Sequence, residues 1–336
     1  MFAYKALHPR DNLDRLYMQR KNGGRGLIGI QDCVAAERRT LDYYLVHSEE
    51  ELLQYVSNSL GLDGERIESK EAHKSRLEAE RKQHWKSMPL HGQFENETTD
   101  LKTEDSWIWL SKGDLKRETE SLLIAAQDQA LATNSVKHSI YNTAESNKCR
   151  LCGTKVESVT HIISACSMLA QKNYKRRHDM LCKNLHWNIC KVFELDKADK
   201  WYQHVPSPVM ENDKVKLLYD FTLQTDREIH HRKPDLVLLK KESRDCFIVD
   251  VAIPGDHRID IKEVEKIDNY SELRLEISRM WNVSCKVIPV VIGALGSTSR
   301  RLQSFLNQLD IPYDIGVLQK SALLGTANIL RKVLDV

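Results

Sequence analysis

Two closely spaced apolar runs constrain the fold of this chain more than any other feature. Residues 233–239 read Lys-Pro-Asp-Leu-Val-Leu-Leu, and residues 246–253 read Cys-Phe-Ile-Val-Asp-Val-Ala-Ile. Their content of Val, Ile, Leu and Phe is typical of strands that are buried on both faces. The polar segment 240–245 between them is short enough for a hairpin turn. The sequence therefore predicts an antiparallel strand pair, with the turn centred between Glu242 and Ser243.

This register places Asp235 directly opposite Asp250 on two neighbouring strands. Opposed residues have Cβ atoms roughly 4.5–5.5 Å apart, where two like charges destabilise a sheet. A hard divalent cation such as Mg²⁺ would relieve that repulsion. The alternative is that both aspartates lie in turns that face solvent, but an uncompensated charge within an apolar run is costly. Asp235 and Asp250 are therefore the candidate magnesium ligands and catalytic acids.

A lysine can join this pair from the helix predicted over residues 259–281. The apolar positions of that helix recur at spacings of three and four and define its core-facing side: Tyr270, Leu273, Ile277 and Trp281. Extending the same side backwards by one turn reaches Lys266, and by two turns Lys262. A lysine on a core-facing side needs an anionic partner, so Lys266 is the candidate catalytic lysine. Lys262 is the alternative, although its side chain can also extend to solvent.

Upstream of these motifs lies a compact set of metal-binding residue types. The spacing is Cys-x2-Cys-x8-His-x4-Cys, formed by Cys149, Cys152, His161 and Cys166. Three thiolates and one imidazole at this spacing can complete a tetrahedral Zn²⁺ site. Gly153 permits the tight turn that such a zinc knuckle requires. We therefore predict structural zinc at these four residues.

A basic stretch follows the knuckle and is a candidate nucleic-acid surface. Lys175, Arg176 and Arg177 are its centre, and phosphate contact is the functional interpretation. The alternative is a solvated helix face. Further along the same predicted helix, Cys182, His186 and Cys190 recur every four residues. We interpret these three as a buried side of the helix, with a second metal site as the alternative, because a straight helix needs outside ligands to surround an ion.

Together, these motifs resemble the C-terminal region of site-specific non-LTR retrotransposon polyproteins of the R-two type. That family carries a Cys-Cys-His-Cys knuckle just upstream of a restriction-like endonuclease, a branch of the PD-(D/E)xK nucleases. In the simple PD-(D/E)xK motif, the lysine comes two residues after the second acid, where this chain has Ala252. The retrotransposon branch carries its lysine on the following helix, which suits Lys266.

The resemblance implies a Mg²⁺-dependent DNA endonuclease whose nick primes reverse transcription, with target DNA and possibly template RNA as partners, in the nucleus. Residues 1–60 resemble the thumb end of the polymerase in the same family. A polymerase motif of the Tyr/Phe-x-Asp-Asp type does not occur in this sequence, so we expect a non-polymerising C-terminal part of a larger polyprotein. A catalytically inactive nucleic-acid-binding remnant is the main alternative. A zinc-dependent protein-interaction module, in which the aspartates are structural, is a further one.

Composition limits the remaining possibilities. The chain has 336 residues and a net charge of only +2, so any nucleic-acid surface must be local. Its eight cysteines are unevenly spaced and no secretory signal precedes them, which favours free or metal-bound thiols. The longest apolar run is too short to span a bilayer, so no membrane partner is expected.

The expected architecture is mixed α/β, with four parts along the chain. A helical polymerase remnant occupies residues 1–60, and a helical linker occupies residues 61–145. The zinc knuckle lies within residues 146–170, followed by a basic helix to residue 200. A PD-(D/E)xK-like endonuclease domain occupies residues 205–336.

Overall fold

The computed structural model describes residues 8–64, 67–98, 101 and 103–335. The predicted parts 1–60, 61–145 and 205–336 each include a few residues outside this set. The chain forms a helical N-terminal half and a five-stranded sheet flanked by helices, which confirms the predicted mixed α/β class. Among the described residues, no helix is both long enough and apolar enough to cross a membrane.

The N-terminal half consists of short and medium helices. They are α1 Asp14–Tyr17, α2 Ile30–His47, α3 Glu51–Ser59, α4 Lys70–Ser87, α5 Gln93–Glu97, α6 Thr103–Ser106, α7 Ile108–Lys112, α8 Arg117–Gln127 and α9 Asn134–Ser139. Helices α4 to α9 lie within residues 61–145, the part predicted as a helical linker. A turn at Asp128–Ala130 separates α8 from α9.

The second half contains the sheet and the remaining helices. These elements are α10 Ser167–Leu169, α11 Lys175–Val192, β1 Val209–Glu211, β2 Val215–Tyr219, β3 Leu236–Lys240, β4 Asp245–Ala252, α12 Ile259–Asn269, α13 Ser271–Trp281, β5 Ser284–Val291, α14 Leu302–Asn307 and α15 Ile315–Leu334. Two π-helical turns, His161–Ala165 and Ala170–Tyr174, flank α10.

The sheet has the strand order β1-β2-β3-β4-β5. The first four strands form an antiparallel meander, and β5 joins β4 in parallel after the α12–α13 crossover. Leu236 pairs with Val249 and Lys240 with Asp245. The predicted hairpin register is therefore confirmed, and its extension by one residue sets Asp235 against Asp250.

The crossover is two helices rather than the one predicted over residues 259–281. The chain bends at Tyr270, which ends α12 and precedes α13. The predicted apolar side is nevertheless preserved, since Tyr270, Leu273 and Ile277 are buried against one face of the sheet. The bend turns the tyrosine hydroxyl towards the end of β4, where it contacts Asp250.

The other face of the sheet packs against α11, α14 and α15. A separate core joins the two halves of the chain. In that core, Trp85, Trp107 and Trp109 pack in one cluster with side chains of α15. Gln319 of α15 strengthens the junction, because its side chain accepts a hydrogen bond from the backbone of Trp109 and donates one to Gly296. The helical half and the sheet thus share the C-terminal helix.

Candidate active site and metal centre

Asp235 lies at the start of β3, where the extended Lys-Pro-Asp segment enters the sheet. Its Oδ2 atom accepts a hydrogen bond of 2.7 Å from the backbone of Val251 in β4. The same oxygen lies 3.1 Å from Nε2 of His178 on α11. The aspartate is thus fixed from two sides, by the neighbouring strand and by a helix that packs on the sheet.

Asp250 lies near the end of β4 and is more deeply buried, with 4% of its side chain exposed. The hydroxyl of Tyr270 donates a hydrogen bond of 2.9 Å to Oδ1. Nζ of Lys266 lies 2.5 Å from Oδ2. The structure therefore brings the two predicted acids and the predicted lysine together at one end of the β3–β4 pair.

Lys262, the alternative to Lys266, contacts a different acid. Its Nζ atom lies 2.6 Å from both carboxylate oxygens of Glu265, one turn further along α12. The two lysines therefore have different partners, and the core-facing position predicted for Lys266 agrees with its contact. Lys266 is the lysine that reaches Asp250.

The four charged groups of this site shift one another's pKa values. Burial, together with the charge of Asp235, raises the pKa of Asp250 to about 6. Burial opposes protonation of His178, but its hydrogen bond and charge interaction with Asp235 outweigh that effect and raise its pKa to about 9. Burial of Lys266 is likewise outweighed by Asp250, and its pKa rises. Two carboxylates and two cations therefore form a nearly neutral group, called here the charged quartet.

A cleft of about 570 Å³ borders the quartet on the side of α11. Asp235 and His178 line it, together with three further cationic side chains and two further acids: Lys175, Arg177, Lys233, Asp179 and Asp220. Lys233 is paired with Asp220 at 2.9 Å. The cationic groups of the lining offset its acids and would reduce the repulsion between Asp235 and a phosphate-bearing ligand. The cleft therefore provides access for such a ligand to Asp235.

The predicted basic surface is only partly present on α11. Lys175 and Arg176 are exposed. Arg177 is buried, donates hydrogen bonds to Thr326 of α15 and to the carbonyl of Ile253, and packs on Gly325. The prediction that Arg177 contacts nucleic acid was therefore wrong, because its guanidinium joins α11 to α15 and to the end of the sheet.

The four predicted knuckle ligands converge. Sγ of Cys149 lies 3.9 Å from Sγ of Cys166, and Sγ of Cys152 lies 3.5 Å from Nε2 of His161. All four ligand atoms are within 4.8 Å of one another. They can therefore hold a single metal ion.

The local fold around these four residues keeps their side chains in place. Cys149 and Lys155 are joined by a backbone hydrogen bond, and Gly153 adopts a φ of 67° in the turn between them. Hydrogen bonds from the backbone of Lys155 and the hydroxyl of Thr154 lower the pKa of Cys152 to about 5. This stabilises the thiolate, which is the form that binds metal.

The sequence did not predict the contact of His178 with Asp235. Its contact spans 57 positions, from α11 to β3. A helical projection would have given one indication, because His178 lies one turn before Cys182, on the buried side of α11. The partner on the sheet, however, carries no local sequence signal.

The chain was also compared with known proteins. A scan against protein-family models found no matching family, and a search of the curated proteins found no match.

Proposed function

We propose that this chain is a Mg²⁺-dependent DNA endonuclease module of the kind found in R-two-type non-LTR retrotransposons. The observation that carries the proposal is the convergence of Asp235, Asp250 and Lys266, three residues from β3, β4 and α12. A pair of acids on neighbouring strands with a nearby lysine is the arrangement that the PD-(D/E)xK resemblance implies. The cleft supports it by giving a phosphodiester a route to Asp235.

Mg²⁺ fits the donor chemistry of this site. Carboxylate oxygens are its preferred ligands, and the raised pKa of Asp250 indicates that the second carboxylate is costly to ionise without further positive charge. Asp235 and Asp250 would hold the ion, which supplies an activated water and a polarised phosphate when bound. Lys266 would stabilise negative charge developing on the phosphate.

Zn²⁺ is the ion we propose for the knuckle. With Zn–S bonds near 2.3 Å and Zn–N bonds of about 2.0–2.1 Å, tetrahedral ligands lie roughly 3.8 Å apart for two sulfurs and about 3.6 Å apart for sulfur and nitrogen. The distances of 3.9 and 3.5 Å between the paired ligand atoms are close to these values. Lys175 and Arg176, on the helix that follows, would contact nucleic-acid phosphates.

An inactive nucleic-acid-binding remnant is the second candidate, and one observation favours it. His178 and Lys266 already balance the charges of Asp235 and Asp250. A Mg²⁺ ion must therefore compete with a histidine whose pKa is about 9. In the remnant, the quartet would serve only to join α11, α12 and the sheet.

Plasmid nicking separates the two candidates. Supercoiled DNA is incubated with the purified chain at constant Zn²⁺, with Mg²⁺ or without added Mg²⁺, so that the knuckle is unaffected. We expect nicking only with Mg²⁺, and we expect Asp250→Asn to abolish it while DNA binding in a filter assay stays unchanged. Lys262→Ala is the matched control that retains nicking. Binding without nicking in the unmodified chain would favour the remnant.

A further inference from the structure

A second cluster of potential metal ligands lies at the other end of α11. His186 and Cys190 are one helical turn apart, so their side chains project from the same side of the helix. His204 reaches them from the irregular segment that connects α11 to β1. The three ligand atoms lie within 4.8 Å of one another, and all three residues are buried. The outside ligand that the helix alone lacked is thus His204.

The contacts within this cluster converge on one ring nitrogen. Nδ1 of His186 lies 2.8 Å from Nε2 of His204 and 3.4 Å from Sγ of Cys190. A ring nitrogen carries either one hydrogen or one lone pair, so it can make a good hydrogen bond to only one of these neighbours. An ion placed between the three atoms would satisfy all of them at once.

We propose that His186, Cys190 and His204 form a second metal site, which binds one Zn²⁺ ion through two imidazoles and one thiolate. Nitrogen and thiolate donors in a tetrahedral arrangement are the usual ligands of zinc. The separation of 3.4 Å between Cys190 and His186 is close to the roughly 3.6 Å expected for such a pair. The imidazoles need to separate from 2.8 Å to about 3.3 Å. His204 can provide this small movement, because it lies outside the helices and strands.

A methionine of β1 lies beside this cluster and is a candidate for a fourth ligand. Sδ of Met210 lies 3.8 Å from Sγ of Cys190, on the first strand of the sheet. A thioether is a weak ligand for zinc and a better one for copper, for which two histidines, a cysteine and an axial methionine form a known set. The identity of the ion is therefore part of the test. In either case, the site would join α11, the connecting segment and the sheet edge, and it is independent of the proposed nuclease chemistry.

Metal analysis of the full chain tests the proposal. The protein is purified without chelators, and its zinc and copper contents are measured by mass spectrometry. We expect two zinc ions per chain. The content should fall from two to one in His204→Gln and in Cys152→Ser, and to none in the double variant. The proposal would be overturned if the unmodified chain held one zinc ion, if Cys152→Ser removed that ion and if His204→Gln left it in place. Copper at the second site would overturn the assignment to zinc.

Cobalt substitution provides a readout that does not depend on a variant folding. Titration of the apo-protein with Co²⁺ should saturate at two equivalents, with near-ultraviolet thiolate-to-metal absorption from both sites. Cys190→Ser should remove the part of this absorption that comes from the second site. Cys246→Ser alters a buried thiol of β4 and should leave the spectrum unchanged. Saturation at one equivalent in the unmodified chain would show that the second cluster is only hydrogen-bonded.

Discussion

Two regions of this molecule bury charged side chains, and they do so in different ways. In the helical half, Arg15 and Asp128 form an ion pair with a contact of 2.9 Å, and both side chains are fully buried. The other guanidinium nitrogens of Arg15 donate hydrogen bonds: Nε to the carbonyl of Gly23 and Nη2 to the side chain of Gln127. The ring of Trp85 covers the guanidinium at 4.4 Å. Every part of this arginine is therefore occupied by a fixed partner.

The charged quartet balances its charges as well, but it remains accessible. Between 19% and 30% of the side chains of Asp235, His178 and Lys266 is exposed, and a cleft adjoins Asp235. A closed ion pair holds helices together, whereas a balanced group beside a cleft can exchange one of its cations for a ligand. Burial of charge alone therefore does not indicate function, and accessibility makes the difference.

The largest effect is expected from breaking the closed pair. Arg15→Met removes the charge and the hydrogen bonds but keeps much of the volume, and it leaves Asp128 buried without a cation. We expect the free energy of unfolding to fall by about 3–5 kcal/mol, as measured by urea denaturation. Arg76→Met is the control, since that arginine contacts Glu68 and Glu80 at the surface and its loss should change stability little. Equal losses in both variants would contradict the comparison.

Next in size is the effect of removing the lysine from the quartet. Lys266→Ala should slow single-turnover nicking about 10²–10³-fold, because a positive charge beside the reacting phosphate is lost. Lys262→Ala should change the rate little, since Lys262 contacts Glu265 instead. A greater loss for Lys262→Ala would place the catalytic lysine one helical turn earlier.

A smaller effect should follow from removing the histidine charge. His178→Gln retains a hydrogen-bond donor for Asp235 but no positive charge, so Mg²⁺ meets less competition. We expect the Mg²⁺ concentration for half-maximal nicking to fall about tenfold, equivalent to ~1.4 kcal/mol. His138→Gln, on α9, is the control. An increase in the Mg²⁺ requirement would instead mean that His178 orients Asp235 for metal binding.

The smallest effects are expected from substituting the two neighbouring arginines of α11, which should differ in whether DNA binding or stability is affected. Arg176→Gln should lower the slope of log binding constant against log salt by about one unit, because one phosphate contact is lost. Arg177→Gln should leave that slope unchanged and lower the melting temperature, since its guanidinium bonds to Thr326 and Ile253 inside the protein. Titration of labelled DNA at several salt concentrations, with thermal denaturation in parallel, measures both.

The features that could be predicted from sequence are those set by local periodicity. The hairpin register followed from two apolar runs and a short turn, and the position of Lys266 followed from the helical repeat that ends at Trp281. The convergence of Cys149, Cys152, His161 and Cys166 followed from their spacing over residues 149–166. In each case the residues that determine the feature are close in sequence. The local sequence pattern is therefore sufficient to predict their arrangement.

The features that could not be predicted depend on distant partners. Arginine is usually found at the protein surface. Arg177 is buried nevertheless, because Gly325 of α15 leaves room for its side chain. A Cβ atom at position 325 would lie 2.4 Å from Cγ of Arg177. His178 and His204 likewise acquire their roles from Asp235 and His186, which pack against them only in the folded chain.

The position of α15 has a consequence for the order in which the molecule folds. Gln319 of this helix bonds to the backbone near Trp109, across more than 200 positions of the chain, and the tryptophan core of the helical half includes residues of α15. That core therefore stays open during synthesis until Ile315–Leu334 has left the ribosome. The β3–β4 hairpin, with its short turn, can form well before then. Although domains generally fold from the N-terminus onwards during synthesis, here both the tryptophan core and one face of the sheet are completed only by α15. Closing the long loop to α15 would therefore be the slow step.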